Sequence, residues 1–465
     1  MDSDDDRCEP PARVIDLGAE RGPERGAEDG AMVRRQSAAL DPGRRTDGFQ
    51  KRITELIAAR RVSAEGDVEQ FDIVHDQTRA GTPVVRGALL VRTSLKELDP
   101  ALYGLLVGEV GEPQDRLDGR LLVLSGKGVG PGRLVELART VRQRGFEASV
   151  DPIVPLGVVV KGEGGPAATF VSSDLPSPVP SEGAVRVAVI DTGVAVPGRD
   201  HEWQDALGTG DNIDPLDAFP SPAGDGLLDA AAGHGAFATG IVQQVAPGGI
   251  VTVHRAIDSD GIGSEVRVAE ELLRAVRERR AEIVNLSLGA QTVDDQPLLA
   301  LQVAFELLSE GGHDDVLLVA AAGNYGDTRP CWPAAFRRVV AVAGLTSDLQ
   351  PAPWSSRGFW VDVSTVGEGL VSTYVRGKES PDLSPGTGPD DWPLDDPRPW
   401  AVWTGTSFAA PQVAAEVARR LTEARAAGDG EATPRTVLRA LLAEGHRLPD
   451  YGVAVRILSG TPVTG

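Results

Sequence analysis

Five apolar runs recur at intervals from residue 185 onward: Val185-Arg-Val-Ala-Val-Ile190, Ile250-Val-Thr-Val253, Ile283-Val-Asn-Leu286, Val316-Leu-Leu-Val-Ala-Ala321 and Val339-Val-Ala-Val342. They are nearly continuous rather than alternating, as strands are when both faces are covered. Helical patterns stand between several of them, notably Glu265 to Arg280 and Pro297 to Glu310. Strands taking turns with helices over 182–465 specify an α/β domain of three layers with a mostly parallel central sheet. Ligands of such sheets bind beyond the carboxyl ends of the strands. The residues that end these runs are therefore the ones to search, and no internal repeat complicates the pattern.

The first 50 residues mix Asp, Glu, Arg, Gly and Pro with few aromatic or β-branched side chains. So little apolar surface cannot offset chain entropy, and a disordered acidic tail is expected at 1–50. From 51 to 175 short apolar runs return, at Gly87 to Arg92, Leu121 to Leu124 and Leu156 to Val160, with a helix predicted at 132–144. Leu134, Leu137, Ala138 and Val141 fall on one face of that helix. A small α/β N-terminal domain follows, joined through a Ser/Pro-rich stretch (Val171 to Ser181, with 176–181 as the linker proper) to a C-terminal domain over 182–465.

A net charge of -22 opposes binding to phosphate backbones, so no nucleic acid partner is expected. Cys8 and Cys331 offer no disulfide framework. The opening Met-Asp-Ser-Asp-Asp-Asp has acid where a signal peptide needs base, and no run of 18 apolar residues occurs. A cytoplasmic protein without membrane partners is expected, with export by an unrecognised route left open.

Three residues stand where a strand ends or a helix begins. Asp191 follows the run ending at Ile190, His234 lies in Gly233-His-Gly-Ala-Phe-Ala-Thr-Gly240, and Ser407 lies in Gly405-Thr-Ser-Phe-Ala-Ala-Pro411. Singly, each has an ordinary reading: a turn-capping Asp, a structural His, an N-cap Ser. Together they supply a nucleophile, a base and a carboxylate to orient the base, in one of the known chain orders. Five segments in order, Val187 to Gly193, Gly233 to Gly240, Asn285-Leu-Ser-Leu-Gly289, Ala320-Ala-Ala-Gly-Asn324 and Gly405 to Pro411, resemble the motifs of the subtilisin-like (subtilase, S8) serine peptidases. The resemblance covers about 182–445 and leaves the first 175 residues unexplained.

It implies a subtilisin-like fold and a serine endopeptidase that hydrolyses extended polypeptides through an acyl-enzyme. Ser407 resembles the nucleophile, His234 the general base and acid, Asp191 the residue that orients the imidazole, and Asn324 the side-chain donor of the oxyanion hole. Gly261, Ile262 and Gly263, with Ser287, Leu288 and Gly289, resemble the two walls between which a peptide inserts. Ala322, Gly323 and Cys331 resemble the pocket for the side chain before the scissile bond. Cys331 also reads simply as a small buried apolar residue. Ala236 and Phe237 depart from the family pattern, which has Thr after the glycine.

The resemblance requires no cofactor. Asp211, Asp214, Asp217, Asp225 and Asp229 recur in a loop without a recognisable calcium-ligand order, so a structural metal is left unassigned. Ser125-Gly-Lys-Gly-Val-Gly130 lacks the phosphate-loop spacing and reads as a turn. The Pro- and Asp-rich stretch from Tyr374 to Trp400 reads as a solvated surface loop. Within the peptidase reading, 51–175 is a regulatory or prosegment-like domain that recruits a protein partner or governs access. The alternative is a catalytically silent binding or regulatory module on the same fold.

Overall fold

The computed structural model describes residues 23–40, 57–60, 69–75, 81–94, 96–126, 128–154, 165–169, 175, 179–208, 210–219, 224–381, 389–396 and 399–461. The expected strand at 156–160 and much of the expected linker lie outside them, as do 1–22 and 41–50 of the expected tail.

The tail expectation fails between them. Residues Pro23–Ala39 form a helix, α1, that docks on the C-terminal domain. Val33 packs with Ala167, Val371, Trp400 and Val402, and Leu40 with Ala352 and Trp354. Between these two anchors the buried Gln36 donates from Nε2 to the carbonyls of Gly165 and Val402, at 2.8 and 2.9 Å. Its Oε1 accepts from the Thr404 hydroxyl at 2.8 Å. A helix too polar to cohere alone is held by anchors that include these at i, i+3 and i+7.

The N-terminal domain is an antiparallel sheet of β1 (Phe71–Val74), β2 (Thr82–Arg92), β3 (Pro113–Arg116), β4 (Leu121–Ser125) and β5 (Glu147–Pro152). The long β2 pairs with β1, β4 and β5. Helices α2 (Pro100–Glu109) and α3 (Pro131–Gln143) supply its core: Leu102, Leu106, Leu134 and Val141 meet Leu89, Val91, Leu122 and Leu124. Because strand side chains alternate, Leu90 and Leu121 face the other way. They are buried there against the C-terminal domain.

Strand β6 (Ala167–Ala168) follows, and then the C-terminal domain. Its strands are β7 (Arg186–Asp191), β8 (Val194–Ala195), β9 (Ile213–Asp214), β10 (Ile250–Arg255), β11 (Ile283–Leu286), β12 (Leu317–Ala321), β13 (Val339–Leu345), β14 (Val363–Val366), β15 (Leu370–Thr373), β16 (Gly377–Lys378), β17 (Asp391–Trp392), β18 (Trp400–Trp403), β19 (His446–Leu448) and β20 (Gly452–Ala454). Eight of them make one sheet in the order β10-β7-β11-β12-β13-β14-β20-β19. Every pair in it is parallel except β19 with β20. Helices α4 (His234–Val245) and α7 (Thr406–Ala426) cover one face, where Val187 and Val189 meet Phe237, Ile241, Val413 and Val417. Helices α5 (Glu265–Arg277) and α6 (Leu299–Glu310) cover the other, over Ala188, Ile190, Val284 and Leu318. A further helix, α8 (Pro434–Glu444), packs on α7.

Outer-face residues of the N-terminal sheet join the α5–α6 cluster. Around this apolar contact Arg92 pairs with Glu306 at 2.5 Å, Arg120 with Glu310 at 2.6 Å and Arg277 with Asp118 at 2.9 Å. Exposed pairs of this kind contribute about 0–1 kcal/mol each, so the apolar contact dominates the docking.

The Tyr374–Trp400 stretch is not a solvated loop where it is described. Tyr374 and Trp392 are buried with ring centroids 4.6 Å apart, and the Tyr374 hydroxyl donates to the Ala232 carbonyl at 3.0 Å. Among its many acids stand two aromatic anchors, which pin it behind the start of α4.

Candidate active site

Asp191 ends β7, and α4 begins at His234. Helix and strand approach closely: a Cβ on Gly235 would lie 2.1 Å from the Gly193 carbonyl oxygen, so only glycine fits there. The approach brings His234 Nδ1 to 2.8 and 2.9 Å from the two carboxylate oxygens of Asp191. Asp191 also accepts from the Thr192 amide at 2.7 Å, and the Thr192 hydroxyl accepts from the Gly235 amide at 3.0 Å. Both side chains of the pair are buried. The imidazole is flanked by Trp403, edge-on at 5.2 Å, and by Phe408 at 5.0 Å. Phe237 stacks behind them, 4.5 Å from Phe408, so the departure at 237 contributes a ring to the wall that holds His234.

The start of α4 is fixed from below. Asp214 accepts from the amides of Gly233 and Leu216 at 3.0 and 2.9 Å, and burial raises its carboxyl above the usual range. Asp229 accepts from the Ser259 hydroxyl and the Ala218 amide, and burial pushes it up to about 7. Asp217 accepts from the amides of Asp225 and Gly226. These carboxylates organise the loop's own backbone. Among the described residues no group of three or more His, Cys, Asp or Glu is placed to hold a metal ion.

Ser407 lies in the first turn of α7 and is buried. Its hydroxyl donates to the Ser287 carbonyl at 3.1 Å, and no hydrogen bond among the described residues joins it to the imidazole. In return the Ser287 hydroxyl donates to the Ser407 carbonyl at 2.6 Å and accepts from Asn285 at 2.9 Å. That carbonyl needs an outside donor because Pro411, four residues on, has no N–H to give it.

Asn324 sits against the same turn. Its Oδ1 accepts from the amide and the hydroxyl of Thr406, both at 2.9 Å, and Thr406 Oγ1 accepts from the Gly323 amide at 3.1 Å. With Oδ1 committed, the amide is oriented so that Nδ2 is the end turned to donate. That nitrogen lies 3.4 Å from where a Gly405 Cβ would stand.

Gly289 and Gly323 converge on Cys331: a Cβ on either would lie 2.7 or 2.8 Å from its sulfur. Burial raises the Cys331 thiol, so it acts as a small apolar filler rather than a thiolate. The side chains of Leu288 and Ala322 belong to core clusters, which leaves these two residues only their main chain to offer a ligand. Ile262 is buried too, under Ile57, Phe71, Val85, Ala88 and Ile153 of the N-terminal region. On the same wall the Val154 amide donates to the Gly263 carbonyl at 2.8 Å, and Ile153 forms an antiparallel bridge with Ser264.

The sequence marks Asp214 only as one of several loop acids without a ligand order, and gives no supporting role to Thr192, the Ser287 hydroxyl, Thr406, Tyr374 or Trp403. The proline inside α7 was the one available signal, since it announces an unpaired carbonyl four residues earlier.

A family model described as the subtilase family matches residues 182–452. A thermophilic serine proteinase of Bacillus sp. (strain AK1) is 30% identical over 242 residues, which cover 51% of this chain and 52% of that protein. Thermitase of Thermoactinomyces vulgaris is 27% identical over 254 residues, 52% of this chain and 77% of that protein. The chain thus spans about half the length of the first of these relatives.

Proposed function

The chain belongs to the subtilase family, and on that premise we propose that it is a serine endopeptidase working through Asp191, His234 and Ser407. The observation that carries this reading is the Asp191 carboxylate held 2.8 Å from His234 Nδ1. A carboxylate there fixes the tautomer that leaves Nε2 as the proton acceptor.

Ser407 Oγ turns from the Ser287 carbonyl and attacks the substrate carbonyl carbon while its proton passes to His234 Nε2. The C–O bond forms, and the oxyanion receives hydrogen bonds from Asn324 Nδ2 and the Ser407 amide at the positive end of α7. The imidazolium then gives its proton to the leaving amine as the C–N bond breaks. Water, deprotonated by the same imidazole, releases the acyl group and restores Ser407. The peptide lies extended between Gly261–Gly263 and Ser287–Gly289, with the side chain before the scissile bond over Gly323 and Cys331.

The N-terminal domain covers one of those walls in this reading. Val154 on Gly263 and the burial of Ile262 support a domain that stays attached and governs access, displaced when a protein partner engages it. An activated ester separates the peptidase from a silent module. The wild-type chain should release a stoichiometric burst of leaving group, and Ser407→Ala none. A wild-type chain with no burst and no peptide hydrolysis would leave the silent module standing. Intact mass addresses the domain: trimming of wild type, with Ser407→Ala still full length, would contradict a retained cover.

A further inference from the structure

Arg60 lies at the end of the described residues 57–60, outside the C-terminal domain in sequence, yet its guanidinium is wholly buried. Nε and Nη2 donate to the two carboxylate oxygens of Asp260, each at 2.6 Å. Nη2 also reaches Asp258 Oδ2 at 3.0 Å and the Ile262 carbonyl at 3.4 Å, and Nη1 donates to the Glu69 carbonyl at 3.2 Å. The rings of Phe219 and Phe71 lie 4.8 and 4.5 Å from its central carbon.

The partners divide by domain. Glu69 and Phe71 come from the N-terminal domain, while Asp258, Asp260, Ile262 and Phe219 belong to the peptidase domain. Asp258 does not depend on Arg60, being paired with Arg255 at 3.0 Å and Arg267 at 3.1 Å. Asp260 is different. Apart from Arg60, its hydrogen-bond partner is the Ile262 amide at 3.3 Å, and it is 4% exposed. While the wall is covered, a buried carboxylate without a cation is costly, so the covered position calls for one. A forked carboxylate contact and an aromatic face together fit a planar guanidinium better than a compact ammonium. Asp260 immediately precedes the Gly261–Gly263 wall, and the guanidinium already touches a carbonyl of that wall.

We propose that Asp260, Phe219 and the Ile262 carbonyl form an arginine-side-chain subsite of the peptidase domain. Arg60 fills it from within the chain when the wall is covered, and an arginine of the polypeptide substrate fills it when Arg60 is withdrawn. This rests on the peptidase reading. Arg60 thereby competes with substrate as well as holding the cover, and Asp260 selects for arginine near the cleavage point.

The test uses the full chain with Arg60→Ala, which removes everything beyond Cβ. N-ethylguanidinium matches the removed group, and calorimetry should detect its binding to Arg60→Ala, not to wild type, and not to Arg60→Ala/Asp260→Asn. Ethylammonium should bind about tenfold more weakly or worse. In hydrolysis, Arg60→Ala should favour an arginine peptide over its citrulline counterpart by about tenfold or more in kcat/KM, a preference lost with Asp260→Asn. If Arg60→Ala fails to fold, Arg60→Lys keeps the charge without the fork and carries the hydrolysis comparison alone, since its ammonium still occupies the place that N-ethylguanidinium would take. Turnover indifferent to arginine, or guanidinium binding indifferent to Asp260→Asn, overturns the subsite and leaves the peptidase standing. Absence of turnover in every chain overturns the peptidase reading and the subsite with it.

Discussion

The Ser407 carbonyl illustrates how single residues set this site. Pro411 deprives it of its helical donor and the Ser287 hydroxyl replaces that donor at 2.6 Å. Ser287→Ala leaves a buried carbonyl unpaired, which costs about 1–3 kcal/mol. Thermal melts should show the loss, and kcat should fall with little change in KM because the turn carrying Ser407 loosens. Asn324 has two jobs, orienting Thr406 through Oδ1 and presenting Nδ2. Asn324→Ala should lower kcat by about 10²–10³-fold, as read from steady-state kinetics. The sequence made Asp191, His234, Ser407 and Asn324 legible because each ends a strand or starts a helix inside a recognisable segment. It hid Ser287's hydroxyl role, since a hydrogen bond spanning 120 positions leaves no periodic trace.

Among the elements, α1 was the least legible. Its anchors are Val33, Gln36 and Leu40, and with a polar residue in the middle the apolar spacing that marks an amphipathic helix is broken. Gln36→Leu strands the carbonyls of Gly165 and Val402 and should lower stability by about 2 kcal/mol, measurable by denaturant titration. Helices α5 and α6 show the opposite case, where charge was legible and burial was not. Glu265, the first residue of α5, accepts from the Ala300 amide at 2.8 Å and so caps α6. Burial pushes its carboxyl up to about 8 from the ordinary 4.5, and Asp151, buried beside it, is raised likewise. Between those two values the native state keeps a proton that the unfolded chain has lost. Stability therefore falls as pH rises from about 4.5 to 8 and levels off above. Glu265→Gln keeps an acceptor for Ala300 and removes the titration. Its denaturation midpoint should gain on wild type as pH passes from 5 to 9, and parallel curves would assign the slope to other groups.

For the whole molecule, the docked N-terminal sheet follows from a pattern visible in the sequence. The run Ala88-Leu-Leu-Val91 in an antiparallel strand has apolar residues on both faces, whereas a sheet open to water on one side alternates. Leu89 and Val91 serve the domain's own core, and Leu90 needs a second surface, which α5 and α6 supply. The run marks a strand but carries no sign of which surface covers its outer face, so the sequence reveals the domain and not the partner of its contact. Leu90→Asp places a charge in that contact and should weaken docking by about 2 kcal/mol or more while sparing the domain's core. Hydrogen exchange at 261–264 should quicken, and peptide hydrolysis should rise. The peptidase reading depends on Ser407 being a nucleophile that His234 can activate. A fluorophosphonate probe on the purified full chain, with the modified residue located by peptide mass mapping, tests this most directly. Stoichiometric label on Ser407, abolished by Ser407→Ala and greatly slowed by His234→Ala, is the predicted result. Label at another serine, or none on a folded wild-type or Leu90→Asp chain, would contradict it.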